Sequence, residues 1–327
     1  MKAIVQGKFG SPEDVLKVTE IDGPGIGDGD VLVQVRAASV HVGDYYMIAG
    51  LPYVMRPLFS ALRTKNRVPG SDIAGTVEAV GKDVTAFQPG DEVFGSYKGA
   101  FAEQAAFPEG SLALKPDNLT FQEASAMGVS ALTALQALRD QGKVRAGEKV
   151  LITGASGGVG TFAVQIAKAS GAEVTGVCST RNVEMVQSIG ADHIIDYTRE
   201  DFTEGEERYD LILDNVGNHA RSDTRKALTP TGTLLPNGAP VGGWFGGLKQ
   251  PIGATVSSLF IRQQGRGFVS TSNPEDLVAL KELAEAGQIT PVIDRTYPLS
   301  RAPEAVAHVG AGHTQGKTII TMAETTN

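Results

Sequence analysis

The sequence has little of what several large classes of protein require. Its 327 residues contain one cysteine, Cys178, which excludes an internal disulfide and a cysteine-rich zinc site. No apolar run approaches the roughly 20 residues needed to span a bilayer, and the N-terminus lacks the apolar core of a signal peptide. The 29 basic residues are outnumbered by 37 acidic ones, and the net charge of −8 opposes attraction to nucleic acid or an anionic membrane. We therefore expect a cytoplasmic protein that binds neither.

The first part of the chain has the pattern of a β-rich unit. Short alternating stretches such as Val31–Ala37 and Gly75–Val80 are separated by glycine, proline and aspartate, which is typical of a barrel-like fold. An alanine-rich helical stretch, Ala131–Leu138, marks a change of pattern. Because the whole chain also exceeds the usual size of one domain, we place a domain boundary near residue 122.

Beyond that boundary, strand and helix patterns alternate. Such alternation predicts a parallel sheet wrapped by helices over residues 123–264. The tail, residues 265–327, is expected to complete the first domain with a helix over Asp276–Ala286 and a final strand. The predicted strands are 149–153, 173–177, 193–195, 209–214, 232–235 and 317–321.

A glycine turn is the most informative motif of the chain. The run Gly154–Gly160 directly follows an apolar strand and precedes a helical stretch. Small residues there let the backbone approach a dinucleotide pyrophosphate, and unpaired N–H groups at the helix start face the anion. The predicted cofactor-binding residues of this turn are Ser156, Gly157, Gly158, Val159 and Gly160.

The end of the second strand predicts which nucleotide binds. An NAD-binding protein carries Asp or Glu there, whereas this chain reads Cys178-Ser179-Thr180-Arg181-Asn182. An arginine with neighbouring hydroxyls can hold a 2′-phosphate, so the sequence favours NADPH over NADH. The alternative is that Arg181 merely begins a surface helix.

These motifs carry a resemblance to a family. Its signature is matched at Gly147, Glu148, Leu151, Ala155, Ser156, Gly157, Gly158, Gly160, Gln165 and Lys168, and further motifs follow in family order at Lys2–Val5, Ala37–Val40, Gly70–Gly75, Pro89–Val93, Gly190–Asp192 and Gly316–Lys317. Over essentially its whole length the chain resembles the zinc-independent quinone oxidoreductases and enone reductases of the medium-chain dehydrogenase/reductase superfamily. The resemblance implies an α/β protein with a GroES-like β-barrel catalytic domain (1–122, completed by 265–327), a Rossmann domain with a doubly wound parallel sheet (123–264), and a cofactor in the cleft between them.

The resemblance also implies roles for individual residues. Ser179 and Tyr197 would join Arg181 near the 2′-phosphate, and Thr133 would lie close to the nicotinamide. The adenosine and nicotinamide sides would be lined by Asn215, Val216, Asn237 and Gly238. Family habit further favours a homodimer.

The sequence departs from the zinc-dependent members of the superfamily. Those members hold a metal with cysteine and histidine, but here the first ligand region reads Val40-His41-Val42-Gly43-Asp44 and their Gly-His-Glu is replaced by Gly70-Ser71-Asp72. We therefore expect no bound metal.

Without a metal, the expected reaction is hydride transfer to a quinone or to an α,β-unsaturated ketone or aldehyde. Tyr46 is the predicted catalytic residue, because its phenol can donate a hydrogen bond to the oxygen on which charge develops; packing at the barrel rim is its alternative. His41 stands where many zinc-independent members carry asparagine, and we expect it to contact cofactor or substrate and to add a pH dependence.

Two segments and two further functions stay open at this level. The stretch Gly50–Arg63 could form a substrate entrance or an amphipathic surface segment, and the run Gly242–Gly247 could cover the acceptor or lie in a subunit interface. The alternatives to a broad quinone or enone reductase are a reductase dedicated to one metabolic enone and a non-catalytic, redox-sensing protein that binds NADPH.

Overall fold

The structure is a computed structural model that describes residues 1–56, 67–238, 263–265 and 268–322. The end of the stretch Gly50–Arg63, from Pro57 onward, and the run Gly242–Gly247 lie outside the described residues. Two compact units divide the chain. The first comprises residues 1–51, 55–132 and 271–327, and the second comprises 52–54 and 133–270.

The first part of the chain, as far as its residues are described, contains both strands and α-helices. The strands are β1 (Lys2–Gln6), β2 (Leu16–Glu20), β3 (Asp30–Val40), β4 (Asp72–Val80), β5 (Glu92–Ser96), β6 (Gln104–Pro108) and β7 (Leu112–Leu114). The helices are α1 (Pro12–Val15), α2 (Val42–Ala49), α3 (Phe121–Ala126) and α4 (Gly128–Leu135). Helix α3 packs against β3 and β4, which is why the first unit extends to residue 132 rather than to the predicted 122.

Strand β3 organises the sheet of the first unit. It pairs antiparallel with both β4 and β6, and alternate residues Val31, Val33 and Val35 are buried. Such alternation places every second side chain in the core, as the two-residue period of a strand requires. Two fully buried phenylalanines, Phe101 and Phe107, belong to the same core cluster as these valines.

Within its described residues, the second unit is built on a sheet of six strands. Its strands are β8 (Lys149–Thr153), β9 (Glu173–Cys178), β10 (His193–Asp196), β11 (Tyr209–Asp214), β12 (Leu228–Pro236) and β13 (Gln264–Gly265). Its α-helices are α5 (Gly158–Ala169), α6 (Val183–Ser188) and α7 (Arg221–Lys226), all of which pack against sheet strands. The strand order is β10-β9-β8-β11-β12-β13, and all neighbouring strands are parallel. From β8 the chain adds strands first toward one edge of the sheet, through β9 and β10, and then toward the other, from β11 to β13. This is the doubly wound Rossmann order, which confirms the predicted fold class.

The tail returns to the sheet of the first unit. It contains α8 (Pro274–Glu285), β14 (Ile293–Pro298), α9 (Ala302–Gly310) and β15 (Lys317–Thr321). Helix α8 begins two residues before the predicted Asp276, because the Asn273 side chain caps the Asp276 N–H and Pro274 occupies the first turn. Strand β15 pairs antiparallel with β3. In the part of the chain that the structure describes, no helix combines the length and the apolar character that crossing a membrane requires.

Candidate functional site

The glycine turn joins β8 to α5 as the sequence predicts. Gly154 has a φ of +60°, a left-handed conformation in which a side chain is strained. The Gly157 N–H donates to the Gly154 carbonyl at 3.0 Å, and the Ala155 N–H donates to Val177 at 3.1 Å. A Cβ on Gly160 would lie 2.1 Å from the Gly154 oxygen, so only glycine fits there.

The start of α5 is suited to an anion. Gly157 occupies the N-cap and offers no side chain to the first-turn N–H groups, which have no acceptor inside the helix. The helix dipole adds partial positive charge at this end. Backbone donors that converge on a turn too narrow for a Cβ fit the pyrophosphate of a dinucleotide.

Ser156 has a partner that the sequence did not reveal. Asn182, immediately before α6, donates from Nδ2 to Ser156 Oγ at 2.8 Å, and both side chains are buried. Asn182 holds the N-cap position of α6 but makes no side-chain cap hydrogen bond. An asparagine before a helix ordinarily indicates a cap, so nothing in the sequence points to a bond with Ser156.

The ends of β9 and β10 carry the residues predicted to read the ribose. Arg181 is exposed in a 3₁₀ turn over Thr180–Asn182, and Tyr197 is 61% exposed directly after β10. The structure adds a carboxylate here that the sequence prediction missed. Asp196 accepts hydrogen bonds from the Thr180 hydroxyl and from the N–H and hydroxyl of Thr198.

These hydrogen bonds fix the charge state of Asp196. The bond from Thr180 is the largest cause that holds the pKa of the Asp196 carboxyl below its ordinary value. An anion therefore stands at the end of β10, next to the strand end where Arg181 and Ser179 follow. The neighbouring Cys178 thiol is buried, and burial raises its pKa to about 11, so it is protonated at neutral pH.

The ends of β8, β11 and β12 are joined by side-chain hydrogen bonds. The Thr153 hydroxyl donates to Asp214 Oδ1 at 2.7 Å and accepts from the Asn215 N–H at 2.9 Å. Asn237 Nδ2 donates to Asn215 Oδ1 at 2.7 Å. A Cβ on Gly238 would meet the Asn215 carbonyl oxygen at 2.1 Å, so the loops after β11 and β12 touch through their backbones.

The structure thus brings most of the predicted nucleotide-binding residues to one edge. Residues after β8, β9, β10, β11 and β12 all lie at the carboxyl ends of parallel strands, which is where open α/β sheets bind ligands. Val216 is exposed at this edge. Thr133 is buried on α4 within the second unit, and its hydroxyl lies 2.9 Å from that of Ser270.

In the first unit, His41 caps the helix that carries Tyr46. The Gly43 N–H donates to His41 Nδ1 at 3.0 Å, while the His41 N–H donates to Asp44 Oδ2 at 3.0 Å, so the cap is reciprocal. Since Nδ1 accepts, the neutral ring carries its proton on Nε2, which lies 3.4 Å from both Ser71 Oγ and Asp44 Oδ1. Both ring nitrogens are therefore engaged within the protein, and a ligand contact by His41 stays a prediction.

Tyr45 and Tyr46 have different surroundings. The Tyr45 ring packs into the core against α9, where a Cβ on Gly310 would lie 2.3 Å from it. Tyr46 is half-buried and meets Tyr45 edge to face, with ring centroids 5.9 Å apart. Burial, with the neighbouring Tyr45 adding to it, raises the pKa of the Tyr46 phenol above its ordinary value, so the hydroxyl is a hydrogen-bond donor at neutral pH.

A buried polar cluster lies behind this helix. Lys317 Nζ donates to Ser130 at 3.0 Å and lies 3.5 Å from Asp72 Oδ2, with Lys317 1% and Asp72 0% exposed. Burial lowers the pKa of Lys317, opposed by Asp72, and burial raises the pKa of Asp44, opposed by His41. Across the described ranges, no group of three or more His, Cys, Asp or Glu side chains is arranged to hold a metal ion.

Similar proteins cover nearly the whole chain. The family described as an alcohol dehydrogenase GroES-like domain matches residues 27–117, and the one described as a zinc-binding dehydrogenase matches residues 189–320. The mouse mitochondrial NAD(P)H oxidoreductase RTN4IP1 is 36% identical over 90% of this chain and 82% of its own length. The 2-methylene-furan-3-one reductase of Solanum lycopersicum is 33% identical over 98% of this chain and 79% of its own. The solved structure of the quinone oxidoreductase from Coxiella burnetii has a TM-score of 0.87 and 29% identity, and the match covers 99% of each chain.

Proposed function

The chain belongs to the medium-chain dehydrogenase/reductase superfamily, and on that premise we propose that it uses NADPH to reduce quinones or α,β-unsaturated carbonyls without zinc. The observation that carries the proposal is the turn after β8, where converging N–H groups and a position closed to any Cβ fit a dinucleotide pyrophosphate. The names of the mouse and tomato relatives support an NAD(P)H-dependent reductase, and the Coxiella structure supports quinones as acceptors.

The preference for NADPH is supported by the end of β9. Cys178 stands where an NAD-binding protein places a carboxylate that accepts from the ribose 2′-hydroxyl. We assign the 2′-phosphate to Arg181, Ser179 and Tyr197, since a guanidinium and hydroxyls match phosphate oxygens. The Asp196 carboxylate is engaged by Thr180 and Thr198.

The absence of zinc from the reaction is supported by the cap of α2. A histidine ligand must offer a free ring nitrogen, but His41 uses Nδ1 to cap the helix and directs Nε2 toward Ser71 and Asp44. Ser71 replaces the histidine of zinc-dependent members. Elemental analysis of the purified protein is expected to find well under one equivalent of zinc, and one equivalent would contradict this part of the proposal.

Bound NADPH supplies the hydride, and the protein supplies position and a donor. Asn215, Val216, Asn237, Gly238 and Thr133 are assigned to the adenosine and nicotinamide sides of the cofactor. Tyr46 donates a hydrogen bond to the acceptor oxygen, on which negative charge develops as the hydride reaches the acceptor. A proton taken from water then completes the reduced product. We assign His41 to holding α2, and with it Tyr46, in place.

Location and assembly are inferred from the sequence. We place the protein in the cytoplasm and in a homodimer, as the sequence predicts, although the mouse relative is named as mitochondrial. Cell fractionation and light scattering of the purified chain test these two points. A monomer, or a protein recovered in an organelle, would contradict the corresponding one.

A panel of acceptors tests the reaction. Oxidation of NADPH is followed with quinones, alkenals, cyclic enones and simple ketones, and NADH serves as the paired cofactor. The proposal expects turnover with several quinones or enones, little with simple ketones, and a lower KM for NADPH than for NADH. Turnover of a single enone would instead indicate a dedicated reductase. Binding of NADPH without oxidation by any acceptor would indicate a non-catalytic protein.

A further inference from the structure

Asn182 is placed as a helix cap but makes a different bond. It precedes α6, yet its side chain turns away from the helix N–H groups and donates to Ser156 Oγ at 2.8 Å. With 4% and 9% of their surfaces exposed, Asn182 and Ser156 meet where water competes poorly. The Asn182 backbone lies in the right-handed helical region and continues the 3₁₀ turn Thr180–Asn182, so the bond to Ser156 ties this turn to another segment rather than capping α6.

The direction of this hydrogen bond constrains the serine. A hydroxyl has one proton to donate and two lone pairs that accept. Because Ser156 Oγ accepts from Asn182, its own proton is free to point elsewhere. Ser156 belongs to the turn that ends at the start of α5, where the backbone N–H groups also converge. A hydroxyl oriented in this way adds a side-chain donor to the backbone donors of the turn.

We infer that Asn182 is a positioning residue which orients the Ser156 hydroxyl as a donor to the cofactor pyrophosphate. The inference rests on the proposed function, because it assigns the turn to a dinucleotide. Asn182 directly follows Arg181, so one buried hydrogen bond joins the segment assigned to the ribose phosphate to the turn assigned to the pyrophosphate. Asn182 touches no cofactor atom in this scheme and acts through Ser156.

Three variants and three ligands test the inference. Asn182→Asp is isosteric but can only accept, so the Ser156 proton would turn toward the new carboxylate; Asn182→Ala removes the partner and lets the hydroxyl rotate. Ser156→Ala removes the hydroxyl itself. The ligands are NADP⁺, NAD⁺ and adenosine 2′-monophosphate, which lacks a pyrophosphate. Dissociation constants are measured by calorimetry, so the readout does not depend on turnover.

The expected losses follow from the shared pyrophosphate. Asn182→Asp should weaken NADP⁺ and NAD⁺ alike by about tenfold or more, and Asn182→Ala by about three- to fivefold. The affinity of Asn182→Ala, which adds no charge, for adenosine 2′-monophosphate should change by less than about twofold. In the Ser156→Ala background, Asn182→Ala should add less than about twofold, because residues that act through one contact are not additive.

A matched control separates positioning from folding. Asn118 in the first unit also donates from Nδ2, to the Ala284 carbonyl at 2.8 Å, so Asn118→Asp removes a comparable bond. It should lower the melting temperature and leave nucleotide affinity unchanged. If Asn182→Asp does not fold, Asn182→Ala and the double variant carry the test.

The outcomes discriminate between the two claims. The role of Asn182 would be overturned, and the proposed function left intact, if the Asn182 variants bound NADP⁺ as tightly as wild-type protein does. Additive losses of affinity in the double variant would have the same meaning. A loss of adenosine 2′-monophosphate affinity in Asn182→Ala equal to its loss of NADP⁺ affinity would do the same. Wild-type protein that binds neither dinucleotide would overturn the proposed function, and this inference with it.

Discussion

The nucleotide turn of the second unit and the capped helix of the first are held by different kinds of interaction. The turn is made of backbone: a left-handed glycine, a glycine N-cap and a Cβ-free contact between Gly160 and Gly154. The start of α2 is made of side chains, with His41 bonded to the backbone and to Asp44. A backbone site tolerates few residue types, whereas a side-chain site can be assembled from many combinations.

Charge separates the two regions as well. The turn uses neutral donors and a helix dipole, which leaves it ready for an anion. The first unit buries Lys317 and Asp72 together behind α2, and buried charges are costly unless they are paired and hydrogen-bonded. The glycine turn therefore depends on the shape of its backbone, whereas the first unit depends on every member of its polar cluster being paired.

The largest predicted effect is the loss of stability when the buried Lys317–Asp72 pair is disrupted. Lys317→Met leaves Asp72 buried without its cation, and such a change costs about 3–5 kcal/mol in free energy of unfolding. Lys82→Met is the matched control, because the Lys82–Asp28 pair is 71% and 65% exposed and should contribute less than about 1 kcal/mol. Urea denaturation of both variants measures the difference, and similar losses would show that burial of the pair is unimportant.

The next largest effect is the loss of nucleotide affinity when the glycine turn after β8 is disrupted. Gly160→Ala places a Cβ 2.1 Å from the Gly154 carbonyl oxygen, so the turn must move. We expect NADP⁺ affinity to fall by about a hundredfold or more, since backbone cannot yield as a flexible side chain can. Gly205→Ala, whose nearest contact would be 3.8 Å away, should bind normally. Calorimetric titration reports both constants, and a normal affinity for Gly160→Ala would place the nucleotide elsewhere.

The third effect concerns the hydroxyl carried by the capped helix. Tyr46→Phe is expected to lower kcat about five- to tenfold with little change in NADPH affinity, because only the donor to the developing charge is lost. Burial raises the pKa of the Tyr46 phenol above its ordinary value, and a phenol donates only below its pKa. The ratio of wild-type to variant rate should therefore stay constant from about pH 6 to 9 and fall only in stronger alkali.

Tyr45→Phe controls for packing in the same helix. Its ring lies against Gly310 of α9 and packs on the core, so removal of its hydroxyl should leave kcat within about twofold of wild type. An unchanged kcat in Tyr46→Phe would return Tyr46 to a packing role and remove the proposed donor.

The smallest effect sharpens the choice of cofactor at the nucleotide edge. Asp196→Asn removes a negative charge beside the segment assigned to the 2′-phosphate, and we expect affinity for NADPH relative to NADH to rise about two- to threefold. Asp192→Asn, at the opposite end of β10 and paired with Lys168, should leave the ratio unchanged. A shift in the other sense in Asp196→Asn would contradict this placement of the phosphate.

Sequence reasoning reached the fold through local patterns. Strands β8, β9, β10 and β11 begin where the sequence predicts and end within one residue of it. Three of them, β8, β9 and β11, are mostly buried parallel strands, which read as largely apolar runs. Helix α3 was harder to assign. Its sequence predicts a helix but does not indicate which unit that helix packs against. Only its contacts with β3 and β4 place it in the first unit.

The candidate site was predicted unevenly for a related reason. Gly154 and Gly160 stand out in sequence because no other residue type fits their backbone. Asn182 and Asp196 form hydrogen bonds with Ser156 and Thr180, which follow other strands. The sequence around Asn182 and Asp196 does not indicate which residues these partners are. The roles assigned to Tyr46, His41 and the nucleotide-lining residues remain predictions.

What the sequence determined by itself is therefore whatever a single segment enforces: the strands, the glycine turn and the absence of a carboxylate at the end of β9. Tertiary structure alone decided which side chains meet across strand ends, which tyrosine of α2 enters the core, and that Lys317 is buried against Asp72. The physical reason is range. Backbone preference and hydrophobic period act over a few residues, while hydrogen bonds and burial depend on groups that only the folded chain brings together.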